Sequence, residues 1–189
     1  MASLYFYYGA LGSSKTANAL MAAYNYERVG QKALLAKPAI DTRNGENVMW
    51  SRIGISHPCI SLEELVKMPS DEIKNYNCVI IDEIQFATKD QVMFLSDIVD
   101  NFDIPVMCFG LRTDFKGELF EGSETLIAIA DIIEEIKTVC WCGKKATFNA
   151  RYDKNGIVKT GSTVELGCED KYVALCRKHY KEGKIFPEA

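Results

Sequence analysis

A lysine and a threonine follow a glycine-containing turn near the start of the chain, at the spacing of a phosphate-binding loop. Residues 9–16 read GALGSSKT and match the motif G-x-x-x-x-G-K-[ST], except that Ser14 stands where the motif has glycine. In such a loop, backbone N–H groups and the N-terminus of the following helix bind phosphate oxygens. Lys15 would contact the β- and γ-phosphates of ATP, and the Thr16 hydroxyl would bind Mg²⁺. A strand–turn–helix with a solvated lysine is the alternative.

Two adjacent carboxylates follow an apolar run further along the chain. Residues 78–86 read CVIIDEIQF, so Asp82 and Glu83 fall at the carboxyl end of a predicted buried strand. In a nucleotide-binding fold, an aspartate at this place supports magnesium and its waters. Glu83 would point away from the metal, where its carboxylate could accept a proton from an attacking hydroxyl. The alternative is a solvated strand end, which becomes less attractive once a phosphate loop lies upstream.

A third set of residues has the character of a metal site. Cys140 and Cys142 form a tight pair followed by Gly143, and Cys176-x-x-His179 has a spacing common in structural zinc sites. These four soft ligands bracket a segment with little apolar core, which favours a closed Zn²⁺ site that stabilises it. The alternative is that the four residues bind no metal.

The elements that would position these residues alternate between β-prone and helical patterns. Near-continuous apolar strands separated by helices indicate a parallel sheet with both faces covered, and ligands bind such sheets beyond the carboxyl ends of the strands. The helix after the loop should end near Gly30, and Ser61 with Glu64 forms a predicted capping box. The sequence predicts strands at 3–9, 32–37, 77–83 and 104–110, helices at 15–30, 61–68 and 89–102, and a mobile loop at 41–58.

The sequence pattern changes at about Val139, where short strand-like pieces and clustered cysteines replace the alternation of strands and helices. We therefore predict two domains within the 189 residues. Residues 1–138 would form an α/β nucleotide-binding domain of the P-loop, RecA-like kind, with a parallel sheet flanked by helices. Residues 139–189 would form a small C-terminal zinc-binding domain that hydrophobic burial alone could not stabilise.

Composition restricts the cellular setting and the partners. The net charge of −4 argues against a protein that mainly binds a nucleic-acid backbone. We find no signal-peptide pattern and no apolar run long enough to cross a membrane, and we expect a cytoplasmic protein with reduced cysteines. We interpret His57 as an ordinary loop residue. The cysteines outside the predicted metal site are interpreted as small buried side chains: Cys59, Cys78, Cys108 and Cys168.

Taken in chain order, these segments resemble the thymidine kinases found in many bacteria and in animal cytosol. The resemblance covers about residues 3–182, nearly the whole chain, and the Cys-x-Cys pair is similar to the enterobacterial branch of that family. The segments that carry it are KPAIDTR (37–43), DEIQF (82–86), FGLRTDFKGELF (109–120) and CEDKYVALCRKHY (168–180).

The resemblance implies transfer of the γ-phosphoryl group of MgATP to the 5′-hydroxyl of thymidine, with Glu83 as the general base. It places Lys15, Thr16 and Asp82 at the phosphates and Mg²⁺. It also implies inhibition by dTTP and a homotetramer, with no nucleic-acid or membrane partner. The residues implied to contact ATP or its phosphates are Gly9, Ala10, Leu11, Gly12, Ser13, Ser14, Lys15, Thr16, Asp41, Arg43, Asp82 and Gln85.

The same resemblance implies that thymine is bound mainly by backbone groups of a lasso-like loop, residues 163–172 here, with apolar walls around the flat base. The residues implied to contact thymidine are Leu11, Phe86, Leu111, Phe115, Phe120, Thr163, Val164, Glu165, Leu166, Gly167 and Tyr172. Two positions depart from the family pattern. Ser14 replaces the loop glycine, although we expect Gly12 to supply backbone freedom nearby, and Cys168 replaces a second glycine in the lasso.

Two other functions are compatible with the motifs. A RecA-like ATPase module that acts on nucleic acid or on a partner protein would share the phosphate loop and the zinc-binding segment. The acidic net charge and the lack of a basic stretch interleaved with aromatic residues argue against it. Ser14 alone motivates the other possibility, a nucleotide-binding protein with impaired catalysis.

Overall fold

A computed structural model of the chain describes residues 1–42, 45–161 and 171–187. Its strands are β1 (Leu4–Tyr8), β2 (Ala33–Lys37), β3 (Val48–Trp50), β4 (Ser56–Pro58), β5 (Ile60–Ser61), β6 (Cys78–Ile81), β7 (Val106–Gly110), β8 (Ile132–Glu135), β9 (Phe148–Asp153), β10 (Gly156–Ile157) and β11 (Tyr172–Leu175). Its helices are α1 (Lys15–Arg28), α2 (Leu62–Lys67), α3 (Ser70–Ile73), α4 (Lys89–Phe102), α5 (Glu121–Ile129) and α6 (Arg177–Glu182), with a 3-10 turn at Ile84–Phe86.

A six-stranded parallel sheet forms the larger part of the molecule, in the order β5-β2-β6-β7-β1-β8. Successive side chains of a strand point to opposite faces, and β6 shows the result. Val79 and Ile81 pack with α2, α4 and α5, whereas Cys78 and Ile80 pack with α1 on the other face. Both faces of the sheet are thus covered, which confirms the predicted α/β class.

The predicted elements of this sheet lie where the sequence placed them. The strands predicted at 3–9, 32–37, 77–83 and 104–110 are β1, β2, β6 and β7, each a few residues shorter than predicted. Helix α4 has the predicted bounds, and α2 begins with the predicted capping box of Ser61 and Glu64. Helix α1 ends at Arg28, and Gly30 follows with a φ of +80°, a conformation suited to glycine.

The segment 41–58 differs from the predicted mobile loop. Strands β3 and β4 pair as an antiparallel hairpin, with Met49 opposite His57, and Met49 is buried against the α1 side of the sheet. The imidazole of His57 also lies 2.9 Å from a carboxylate oxygen of Glu27 in α1, so His57 is not simply a loop residue. The polar composition of this segment concealed the buried apolar side chain of Met49, which packs the hairpin against the sheet.

A second, three-stranded antiparallel sheet has the order β10-β9-β11. Its buried apolar cluster is small and consists of Cys140, Ala146, Ala150, Leu175 and Cys176. Two of these five residues belong to the predicted metal site, so little hydrophobic burial stabilises this sheet without them. The division of the chain at residue 138 stays a prediction. In the described residues, we find no helix with the length and apolar character needed to span a membrane.

Candidate functional site: a phosphate cleft and a metal cluster

The phosphate loop joins the carboxyl end of β1 to the first turn of α1. The Gly9 N–H donates to the Gly110 carbonyl of the neighbouring strand over 3.3 Å, and the Ser13 N–H donates to the Ala10 carbonyl over 3.2 Å. Gly12 and Ser14 have φ values of +75° and +61°, both in the left-handed region. Ser14 therefore adopts a backbone conformation that glycine adopts readily, at the position where the motif has glycine.

Lys15 lies within the curve of this loop. Its ammonium donates to the carbonyls of Gly9 and Ala10 over 3.1 Å each and to the Ser13 hydroxyl over 3.2 Å. Lys15 is buried, and so is Ser13. The alternative of a merely solvated lysine is therefore wrong, because the side chain is part of the loop itself.

Thr16 and Asp82 meet as the motif analysis predicted. The Thr16 hydroxyl donates to a carboxylate oxygen of Asp82 over 2.7 Å, which joins the start of α1 to the end of β6. Burial raises the pKa of Asp82 to about 7, and the neighbouring charge of Glu83 adds to that rise. Ionisation of this buried carboxylate is costly, and a nearby cation would stabilise its charged form.

Glu83 follows Asp82 in a left-handed conformation, with φ +52°, and precedes the 3-10 turn. A non-glycine residue in this region is uncommon and costs on the order of 1 kcal/mol. The turn sends the half-buried Glu83 side chain into the same cleft as Asp82. Gln85 is buried, and its side-chain amide donates to the Glu83 carboxylate.

These groups line a cleft of about 610 Å³ at the carboxyl ends of the strands. Its floor is the phosphate loop, and the β3–β4 hairpin forms the opposite side. The predicted residues that line it are Leu11, Gly12, Ser13, Ser14, Lys15, Thr16, Asp41, Asp82 and Glu83. Sequence reasoning did not assign seven further lining residues. Lys37 begins the KPAIDTR segment but was given no role, and no motif marks Val48, Met49, Trp50, Ser51, Arg52 and Ile53.

Lys37 is the second lysine of the cleft and is 3% exposed. Its ammonium lies 3.5 Å from a carboxylate oxygen of Asp41 and donates to the Gly45 carbonyl over 2.9 Å. Asp41 is also buried, so this ion pair sits at the edge of the cleft with little solvent screening. Arg43, predicted from the same stretch, lies outside the described residues.

The aromatic side chains predicted to contact thymidine are not among the residues that line this cleft. The rings of Phe86 and Phe120 meet edge to face with centroids 5.9 Å apart. Phe115 is buried beneath the guanidinium of Arg151, 4.6 Å from its ring centroid. Leu11, Leu111 and Tyr172 are half-buried, whereas Thr163, Val164, Glu165, Leu166 and Gly167 lie outside the described residues, as does Cys168.

Asn149 of β9 was not predicted from the sequence, yet it connects the two sheets. Its buried side chain accepts the Leu11 N–H of the phosphate loop over 2.8 Å and donates to the Thr113 carbonyl over 3.2 Å. An asparagine within a short strand carries no local signal for such a contact. Only the tertiary arrangement brings it to the loop.

The four predicted metal ligands converge. The ligand atoms of Cys140, Cys142, Cys176 and His179 all lie within 4.8 Å of one another. The sulfurs of Cys142 and Cys176 are 4.0 Å apart, and the Cys140 sulfur lies 3.4 Å from His179 Nδ1. Tetrahedral zinc with bonds of about 2.3 Å to sulfur and 2.0 Å to nitrogen needs separations of about 3.5–3.8 Å. The cluster fits a structural metal site.

The surroundings of the cluster favour a metal-binding thiolate. Burial opposes ionisation of Cys140, but hydrogen bonds from the backbone at Cys142 and Cys176 and from the His179 side chain lower the pKa of its thiol to about 6. The indole of Trp141 stacks on the His179 ring at a centroid distance of 4.1 Å, which restricts the imidazole. The remaining described cysteines, Cys59, Cys78 and Cys108, are buried as expected.

Comparison with known proteins decides the family. The model of the thymidine kinase family matches residues 2–180. This chain belongs to the thymidine kinase family. The thymidine kinase of Legionella pneumophila strain Lens is 46% identical over an alignment of 197 positions, which covers 99% of this chain and 94% of that protein. The thymidine kinase of Zymomonas mobilis is 46% identical, covering 96% and 97%, and that of Haemophilus influenzae is 44% identical with the same coverage.

Thymidine kinases are phosphotransferases, so membership identifies the chain as an enzyme and favours the kinase over the ATPase module. Among solved structures, Bacteroides Pif1 bound to ssDNA overlaps 73% of this chain and 39% of its own, with a TM-score of 0.46 and 16% identity. That likeness is too weak to bear on function.

Proposed function

We propose that this thymidine kinase family member transfers the γ-phosphoryl group of MgATP to the 5′-hydroxyl of thymidine. Family membership supports thymidine and ATP as the substrates. The observation that carries the residue assignment is the convergence of three groups on one cleft. The enclosed ammonium of Lys15, the Thr16–Asp82 hydrogen bond and the Glu83 carboxylate all face the same space.

The phosphate loop would bind the triphosphate. Backbone N–H groups of residues 9–16 and the start of α1 are donors that suit phosphate oxygens. Lys15 adds a positive charge within the loop, where burial strengthens its attraction to phosphate. Lys37 adds a second cation on the opposite side, and we assign Asp41 and Arg43 to the same phosphate-binding region.

Thr16 and Asp82 would hold Mg²⁺. A hydroxyl and a carboxylate are the hard oxygen ligands that magnesium prefers, and the raised pKa of Asp82 reflects a buried carboxylate with too little positive charge around it. Bound magnesium would neutralise charge on the β- and γ-phosphates. The residues present therefore fit the ion.

Glu83 would act as the general base. The 5′-oxygen of thymidine forms a bond to the γ-phosphorus. The bond between that phosphorus and the oxygen that bridges it to the β-phosphate breaks, and ADP leaves with the electron pair of the broken bond. The hydroxyl proton passes to the Glu83 carboxylate. Glu83 is half-buried in the cleft and follows Asp82 in the chain, so the proposed base and the proposed magnesium ligand are two different carboxylates.

Thymidine would lie against the apolar wall formed by Leu11, Phe86, Leu111, Phe115 and Phe120, which suits a flat base that is polar only at its imide edge. We assign Tyr172, at the start of β11, and residues 163–167 to thymidine binding as well. The Phe86–Phe120 edge-to-face pair supports a preformed aromatic wall.

The metal cluster would hold Zn²⁺ in a structural role. Its two half-sites lie at opposite ends of the segment that contains β9 and β11, and all four of its ligand positions are protein side chains. A closed four-ligand site of this kind stabilises a fold and leaves no position for a substrate.

Further expectations rest on the family resemblance. We propose dTTP as an inhibitor, because its thymine would suit the apolar wall while its triphosphate suits the phosphate loop. We also propose a cytoplasmic homotetramer that acts on neither nucleic acid nor membranes. Exposed apolar side chains at the end of α5 and on the edge strand β8, namely Ile127, Ile129 and Ile133, support association.

Glu83→Gln tests the assignment of the base. We expect turnover to fall by about 10²–10⁴-fold, because the amide cannot accept the proton, while ATP and thymidine still bind. The matched control is Glu72→Gln, which changes an exposed glutamate of α3 and should leave turnover intact. Turnover is measured as ADP release with and without thymidine, and binding by calorimetry. Near-normal turnover of Glu83→Gln would remove Glu83 from this role.

A further inference from the structure

The side chain of Gln85 joins the Glu83 carboxylate to the backbone next to the apolar wall. Gln85 lies in the 3-10 turn and is 2% exposed. Its Nε2 donates to Glu83 Oε2, and its Oε1 accepts the Leu111 N–H over 2.9 Å. The chemistry fixes this orientation, because a carboxylate needs a donor and a backbone N–H needs an acceptor.

The Leu111 peptide is held on its other side as well. The hydroxyl of Ser123, a fully buried residue of α5, donates to the Leu111 carbonyl over 2.6 Å. Both polar groups of a residue assigned to the nucleoside wall are therefore bonded to buried side chains. This makes the Leu111 backbone a fixed reference point from which Gln85 reaches Glu83.

The neighbouring strand leaves room for the Gln85 amide. Gly110, the last residue of β7, has no side chain, and a Cβ built there would lie 2.6 Å from Gln85 Oε1 and 2.8 Å from Ile84 Cγ2. Real Cβ atoms essentially never approach so closely, so an alanine would displace this amide. The observed position of the Gln85 amide therefore requires glycine, or an equally small residue, at position 110.

We infer that Gln85 is a positioning residue for phosphoryl transfer, which holds the Glu83 carboxylate at a fixed place relative to the nucleoside wall. Glu83 has a left-handed backbone, and the hydrogen bond from Gln85 Nε2 favours the carboxylate rotamer that places Oε2 next to it. The inference rests on the proposed role of Glu83 as the base and gives Gln85 a task other than direct contact with ATP.

Gln85→Met is the direct test, because methionine has nearly the same length and fills the buried space without a donor. We expect kcat to fall by about 10- to 100-fold, since small displacements of a reacting group have effects of this size. The KM values for ATP and thymidine should stay within about twofold, because the phosphate loop and the Ser123–Leu111 bond remain. Gly110→Ala should lower kcat in the same way by displacing the amide.

The matched control is Gln91→Met, which changes a glutamine whose side chain accepts the Thr88 N–H over 2.9 Å at the start of α4. It should leave kcat intact, and thermal melting of all variants monitors folding. If Gln85→Met keeps wild-type kcat while Glu83→Gln is inactive, the inference is wrong and the proposed base stands. A loss of kcat that comes with raised KM values or with a collapsed melting transition would show a merely structural role. An active Glu83→Gln enzyme would instead overturn the proposed base itself.

Discussion

Replacing Ser14 by glycine should stabilise the protein slightly and leave ATP binding unchanged. Ser14 is exposed and has φ +61° and ψ +29°, so it already has the backbone conformation that a loop glycine adopts. Its side chain makes no capping hydrogen bond at the start of α1, and therefore glycine would lose no polar contact. The substitution changes the cost of the conformation and not the conformation.

The magnitude follows from two opposing terms. A left-handed backbone costs a non-glycine residue about 1–2 kcal/mol, which Ser14→Gly would remove. Glycine also gives the unfolded chain more conformational freedom, which lowers the free energy of unfolding by about 0.5–1 kcal/mol and so reduces that gain. The expected net gain in the free energy of unfolding is about 0.5–1 kcal/mol, or roughly 1–4 °C in Tm for a chain of this size.

Thermal melting of the purified variants and steady-state kinetics with varied ATP test this reasoning. Gly12→Ala is the complementary variant, because Gly12 has φ +75° and a Cβ there would meet nothing within 4 Å. It should lose about 1 kcal/mol through backbone strain alone. A lower Tm for Ser14→Gly, or a change of about tenfold or more in its KM for ATP, would refute the conclusion that serine already follows the glycine conformation.

Two further predictions concern the buried carboxylate and the metal cluster. Because burial raises the pKa of Asp82 to about 7, the folded protein keeps a proton that the unfolded chain releases above about pH 4. The free energy of unfolding should therefore fall as the pH rises from about 4 to about 7. Urea unfolding without Mg²⁺ should show that Asp82→Asn lacks this loss. An equal loss in the variant would contradict the assignment. Cys176→Ser should lower bound zinc from about one equivalent per chain and unfold the small sheet, whereas Cys59→Ala, a buried cysteine outside the cluster, should keep the metal. Full zinc content in Cys176→Ser, from elemental analysis of reduced protein, would show that the cluster is not the site.

Four of the six strands of the main sheet and the phosphate-loop side of the cleft were accessible from the sequence because local patterns determine them. Four apolar strands and the capped helices each carry a periodic or capping signal within about ten residues. The phosphate loop and Asp82 lie at strand ends, and parallel strands bring such ends together. Their meeting, seen in the 2.7 Å Thr16–Asp82 hydrogen bond, therefore follows from the order of the motifs along the chain.

Other parts of the site depend on tertiary contacts that leave no local signal. The hairpin opposite the phosphate loop is held by the burial of Met49, within a segment whose polar composition indicated a loop. Asn149 accepts the N–H of Leu11, 138 positions away, and Gln85 accepts the N–H of Leu111, 26 positions away. A sequence gives the donor and acceptor inventory of such residues but not the partners that folding brings to them.

The contact made by Asn149 relates the metal cluster to the nucleotide cleft. Strand β9 carries Asn149, and its neighbour β11 leads directly into Cys176. The small sheet has only a minor apolar cluster, so we expect a metal bound by the four-residue cluster to help hold β9 in place. Asn149 in turn accepts the Leu11 N–H of the phosphate loop. A metal that joined the two halves of the cluster would therefore help to fix the Asn149 contact, and with it the Leu11 end of the phosphate loop.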